Sequence, residues 1–75
     1  MLEKVKSIIS EILFIEPDKI QPESNFVEDL KADSLDLVQL IMAFENEFSV
    51  HVEDEELKTI KTVQDVIDLI ESKKQ

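Results

Sequence analysis

Cysteine and glycine are both absent from this 75-residue chain, as are tryptophan and tyrosine, and it holds one histidine and two prolines. Without cysteine there is no disulfide framework, no thiolate zinc site and no Cys-His nucleophile pair, and the polypeptide has no redox chemistry of its own. Without glycine its acidic stretches cannot match a calcium loop, which needs that residue at its sharp turn. No apolar run approaches the ~20 residues of a membrane span, and the N-terminus has neither a signal-peptide core nor an Arg-rich transit pattern. A cytoplasmic protein without membrane insertion is expected.

What is present suits a small globular unit. The length allows one domain, residues 1–75, and a composition of 43% hydrophobic and 35% charged residues lies in the globular rather than the disordered range. The formal net charge is −10. That charge repels phosphate backbones and anionic lipid, which argues against nucleic-acid or membrane-surface binding and favours a basic protein partner. It is also concentrated: residues 1–27 carry −2, residues 28–56 carry −9 and residues 57–75 carry +1. One acidic surface is therefore expected rather than an evenly solvated chain.

The apolar spacing predicts helices and no convincing strand. Leu2, Val5, Ile8, Ile9, Ile12 and Leu13 fall within about 140° of a helical wheel, leaving Glu3, Lys4, Lys6 and Ser7 outside. Pro17 and Pro22 then interrupt, so Ile15 to Asp33 reads as a long connection with Ile20, Phe26 and Leu30 as core anchors. Asp33 has N-cap chemistry for a helix from Ser34 to Phe48, with Asp36 placed to complement its dipole. Ser49 to Val52 reads as a turn. A short helix starts at Glu53-Asp54-Glu55-Glu56 and runs through Ile60. Thr62 with Asp65 caps a last helix built on Val63, Val66, Ile67 and Ile70, with Lys73, Lys74 and Gln75 fraying beyond it. The fold class is all-α: a small four-helix bundle of three main helices and a short one, with a long loop between the first two.

The Ser34–Phe48 helix carries two apolar arcs. Leu37, Leu40, Ile41, Phe44 and Phe48 share a stripe of about 100°, while Leu35, Val38 and Met42 form a second group roughly 130° away. In a bundle both arcs can be core. Alternatively the second is a partner surface, its apolar centre rimmed by Asp36, Gln39, Glu45 and Asn46 and its methionine adaptable. Catalysis finds little support: Asp33 and Asp36 lack a dry cleft that would tune their acidity, and His51, without a serine-and-acid or metal-ligand constellation, reads as a solvent-exposed loop histidine. Glu28, Asp33 and Asp36, and Glu45, Glu53 and Asp54, are candidate weak divalent-cation clusters, with no firm metal site. Ser34 stands apart. Its place at a helix N-terminus favours an attached phosphate through the exposed amides and dipole, while Asp33 and Asp36 oppose a free one.

Ala32-Asp33-Ser34-Leu35-Asp36-Leu37-Val38, after a Pro-interrupted loop holding Phe26 and Leu30 and before Glu45-Asn46-Glu47-Phe48, resembles bacterial acyl carrier proteins of fatty acid synthesis. The likeness extends through Glu53–Glu56 and the Ile60–Asp65 entry into the last helix, so it covers essentially the whole chain. The resemblance implies a non-enzymatic carrier. In it a phosphopantetheinyl transferase, the holo-carrier synthase, moves 4'-phosphopantetheine from coenzyme A onto the Ser34 hydroxyl, and the terminal thiol carries fatty acyl chains as thioesters. By the same resemblance, Asp33, Leu35, Asp36, Val38, Met42 and Glu45 meet basic docking surfaces of fatty acid synthesis enzymes and acyltransferases, while Leu37, Ile41, Phe44 and Ile60 line an interior for the acyl chain of a monomer. A chain without cysteine presents that thiol without a competitor. Departures from the family pattern are Lys31 and Ser49 at common glycine positions, Glu53 at a frequent proline position and Gln39 at a common glutamate. A carrier of another cargo (aminoacyl, D-alanyl or polyketide) and an unmodified acidic interaction module are the alternatives.

Overall fold

Helix α1, Leu2–Leu13, turns its stripe inward as its spacing requires: Val5 and Ile9 are fully buried, and Leu2, Ile8, Ile12 and Leu13 pack partly against the same core. Residues 1–74 are described by this computed structural model; Gln75, expected to fray, lies outside the described residues. Helix α2, Ser34–Phe48, crosses α1 and sends Leu40, Ile41, Phe44 and Phe48 into the centre. Helix α4, Val63–Lys73, closes the bundle with Val63, Val66, Ile67 and Ile70. Between α2 and α4 lies α3, Asp54–Leu57, a single turn with no buried residue of its own. Among the described residues no helix is long and apolar enough to cross a membrane.

The connection from α1 to α2 is long but tightly built. Pro17–Lys19 forms one 3-10 turn, with proline at the first position where its missing N–H costs nothing. Asn25 then organises the chain: its side-chain oxygen accepts from the amides of Val27 and Glu28 at 2.9 and 3.0 Å, and its own N–H donates to Asp29 at 2.7 Å. An isolated antiparallel bridge pairs Asn25 with Thr62, and the Phe26 and Val63 amides donate to the Lys61 and Ser24 carbonyls. Ile20, Phe26 and Leu30, the three expected anchors, are all buried. Each apolar plug of that size contributes about 1.5 to 3 kcal/mol.

Helix ends follow their side chains. Asp33 and Asp36 form a reciprocal box at the start of α2, the Asp36 amide donating to Asp33 at 2.9 Å and the Asp33 amide to Asp36 at 3.3 Å. Thr62 and Asp65 repeat the arrangement on α4, and the Asp65 carboxylate also accepts from the Lys61 amide at 2.9 Å. Three ends and turns adopt left-handed backbone without glycine: Phe14 (φ 59°) caps α1, Ser49 (φ 55°) caps α2, and Lys31 (φ 61°) turns the chain into α2. Lys31 and Ser49 are the two positions where the related pattern has glycine, so the backbone geometry is kept and the residue that eases it is not.

Two boundaries differ from the sequence reading. The short helix stops at Leu57 instead of running through Ile60; beyond it the Thr59 hydroxyl donates to the Glu56 carbonyl at 2.7 Å, a local bond that competes with helix continuation. The next amides tighten into three-residue bonds, Thr59 to Glu56 and Ile60 to Leu57. At the other end Lys73 does not fray. It completes the last turn of α4 and its ammonium meets Glu56 at 2.8 Å, which ties α4 to α3.

Candidate functional site

Ser34 is exposed as the first residue of α2, held in place by the aspartate box on either side of it. The box pairs the Asp33 and Asp36 amides with carboxylates from the chain itself, so free phosphate finds that end already occupied by negative charge. A hydroxyl in this position is open to covalent attachment. An attached phosphodiester fits here, since it needs an accessible oxygen rather than a preformed pocket.

From Ser34 the second apolar arc runs down the same side of α2. Leu35, Val38 and Met42 are 67%, 43% and 61% exposed, which overturns the reading in which both arcs are core. Their rim is acidic, and a patch with an apolar centre beside a charged edge has the anatomy of a protein-binding surface. Asp36 and Leu37 are half-buried away from this face, Asp36 beside the cleft at the end of α1 and Leu37 against the core. Glu45, expected beside them, instead turns back: its carboxylate accepts from the Val52 amide at 2.8 Å and lies 3.3 Å from His51 Nδ1.

His51 is the residue the sequence reading missed. Its Nε2 lies 3.0 Å from Glu53, so the exposed ring bridges a carboxylate on α2 and one at the N-cap of α3. The spacing of six and two residues hides this. Only the reversal at left-handed Ser49 brings Glu45 and Glu53 to one ring.

Beneath that bridge is a groove of about 250 Å³ between α2 and α3, bounded by Val38, Ile41, Met42, Glu45, His51, Val52, Asp54 and Leu57. Of the four residues expected to line an interior, only Ile41 reaches it. Phe44 and Ile60 are buried behind it and Leu37 is half-buried elsewhere on α2. A wider cleft of about 560 Å³ opens on the other flank, between the end of α1 and the loop, with Lys31 and Asp36 on its rim. Neither acidic trio converges: among the described residues no three His, Asp or Glu side chains are grouped to hold a metal ion. Asp33 and Asp36 cap α2, while Glu45 and Glu53 face His51.

Two carboxyls have pKa values lowered by clear causes. Glu56 is held below the usual carboxylate range first by its hydrogen bond from Lys73 and then by the Glu53 amide. Asp65 is lowered by the amides of Lys61 and Thr62. Both favour the ionised form in the fold.

Comparison with known proteins agrees with the site. Residues 3–70 match the family described as "Phosphopantetheine attachment site". The chain is 56% identical over 73 residues to an acyl carrier protein of Thermosynechococcus vestitus, covering 97% of this chain and 90% of that one. It is 50% identical over 72 residues to an acyl carrier protein of Helicobacter hepaticus, covering 96% and 95%. A solved structure from Mycobacterium tuberculosis, described as a candidate acyl carrier protein, superposes with a TM-score of 0.89 at 34% identity, covering 95% of each chain. Identity at half or more of the positions over nearly the full length, together with the matching fold and the matched attachment-site family, makes this chain a member of the acyl carrier protein family, a carrier rather than an enzyme.

Proposed function

We propose that Ser34 is the attachment point of 4'-phosphopantetheine and that residues 1–75 act as one cytoplasmic, monomeric carrier domain for fatty acyl chains. The observation that carries this reading is the exposed Ser34 hydroxyl at the capped start of α2, directly beside the exposed Leu35, Val38 and Met42. When attached, the group supplies a terminal thiol that holds acyl cargo as a thioester.

The chain's own residues do the rest. Asp33 and Asp36 fix the start of α2, so that Ser34 points to solvent on a rigid element and a transferase meets a preformed geometry. Leu35, Val38 and Met42 form the apolar contact, with Asp33, Asp36 and, at the far edge, Glu45 supplying negative charge to basic surfaces of the transferase, synthesis enzymes and acyltransferases. The α2–α3 groove offers the entry for an acyl chain, and Leu37, Ile41, Phe44 and Ile60 are the apolar residues that would separate around a longer one. A core this small opens locally at modest cost, which suits temporary occupancy.

Incubation with coenzyme A and a phosphopantetheinyl transferase, followed by intact-mass and peptide mass spectrometry, tests the assignment. One phosphopantetheine on the Ser34 peptide, and none on Ser34→Ala, is the expected result. An unmodified mass under conditions that load a control carrier overturns it. Thioesters trapped from the native host then identify cargo: fatty acyl groups are expected, and aminoacyl groups alone would replace the fatty acid assignment with another cargo.

A further inference from the structure

The wall of the α2–α3 groove formed by residues 51–57 is fastened by polar clasps as well as by packing. Helix α3 is one turn, too short to hold itself, and contributes no buried residue. Val52 and Ile60 plug the core at either side, and Leu57 is half-buried between them. Three polar contacts then cross to neighbouring helices: the Val52 amide to Glu45, the Glu45–His51–Glu53 bridge, and Lys73 to Glu56. His51 lines the groove and contacts a carboxylate on each side of it, alongside the Val52–Glu45 bond.

We propose that His51 is a positioning residue that latches α3 against α2 and thereby sets how long an acyl chain must be before the groove opens to admit it. The inference depends on the carrier reading of Ser34 and deepens it. The physical basis is a competition between a fixed and a growing quantity. The latch opposes opening by the same amount for every cargo, whereas each added methylene of a chain removes more apolar surface from water on entry. A threshold length follows, and weakening the latch lowers it.

The test uses full-length phosphopantetheinylated protein, unacylated and loaded with saturated chains of increasing length, for the wild type, His51→Ala and His51→Lys. Amide hydrogen exchange reads the latch, and NMR shift changes at Ile41 and Leu57 read entry of the chain. In the unacylated protein, His51→Ala should speed exchange across residues 54–60 about two- to fivefold, the scale of exposed ion pairs, and leave α1 amides unchanged. The chain length at which Ile41 and Leu57 first shift should fall. Lysine, whose ammonium can reach both Glu45 and Glu53, should return both readouts toward the wild type. An unchanged threshold, or exchange raised equally in all helices, overturns the latch and leaves the carrier reading intact. Peptide mass spectrometry separates the other failure: no phosphopantetheine on Ser34 removes both.

Discussion

The two connections of this bundle, residues 14–33 and 49–62, invert the usual expectation about order. The longer one has a single 3-10 turn and otherwise irregular backbone, yet it buries Ile20, Phe26, Leu30 and Ala32 and hydrogen-bonds to itself and to the entry of α4. The shorter one contains a helix and buries only Val52 and Ile60. What fixes a segment is the number of apolar plugs and paired backbone groups it contributes, and a helical turn is a small part of that. The contrast fits the proposed roles of the two regions: the long loop positions the start of α2 and with it Ser34, while the short segment forms one wall of the α2–α3 groove.

The largest expected effect tests the first half of that contrast. Phe26→Ala should cost about 3 to 5 kcal/mol in urea unfolding, the range for removing a buried aromatic ring, because the loop it anchors is part of the core. A loss below about 1 kcal/mol would mean that the loop is only draped over the bundle. A smaller and opposite effect is expected where the chain bends without glycine. Lys31→Gly and Ser49→Gly each relieve left-handed strain of about 1 to 2 kcal/mol and add roughly 0.5 to 1 kcal/mol of unfolded-chain entropy, so a gain of about 0.5 to 1 kcal/mol is expected. Lower thermal stability in either variant would show that the native side chain contributes more than its backbone costs.

Acid provides the finest comparison. Glu56 and Asp65 both have carboxyl pKa values lowered in the fold, so their contribution is complete above the unfolded carboxylate pKa of about 4 and is lost as pH falls through the lower folded value. Asp65 supports the junction where the long loop meets α4, and Glu56 joins α3 to α4. Asp65→Asn should therefore flatten the acid limb of the melting profile. Glu56→Gln should chiefly alter exchange in residues 54–60. Equal acid profiles for Asp65→Asn and the wild type would remove the assigned role of that carboxylate.

Much of this was legible in the chain, and the reasons differ by element. The Asp33 cap, the Thr62–Asp65 pair and the inward stripes are local or periodic, so spacing alone reveals them. Ile20, Phe26 and Leu30 stood out because large apolar residues in a polar connection have few places to go but the core. The exposure of Leu35, Val38 and Met42 needed the fold, since a helical wheel separates faces without saying which one is covered. The end of α3 lies in a local switch to three-residue bonds at Thr59 and Ile60, which apolar spacing does not signal. The His51 bridge depended on the path of a turn, and Lys73 on a partner seventeen residues back in the sequence, relations that carry no periodic signature.

The exposed arc on α2 also bears on how copies of this chain coexist. A surface holding Leu35, Val38 and Met42 is adhesive by composition, and a carrier that must stay available to many enzymes cannot have it occupied by its own kind. The net charge of −10, nine of it within residues 28–56, surrounds that surface with repulsion between like molecules while attracting basic ones. Acidity here acts as colloidal insulation: like charge around an adhesive patch opposes its self-association and favours a surface of opposite charge.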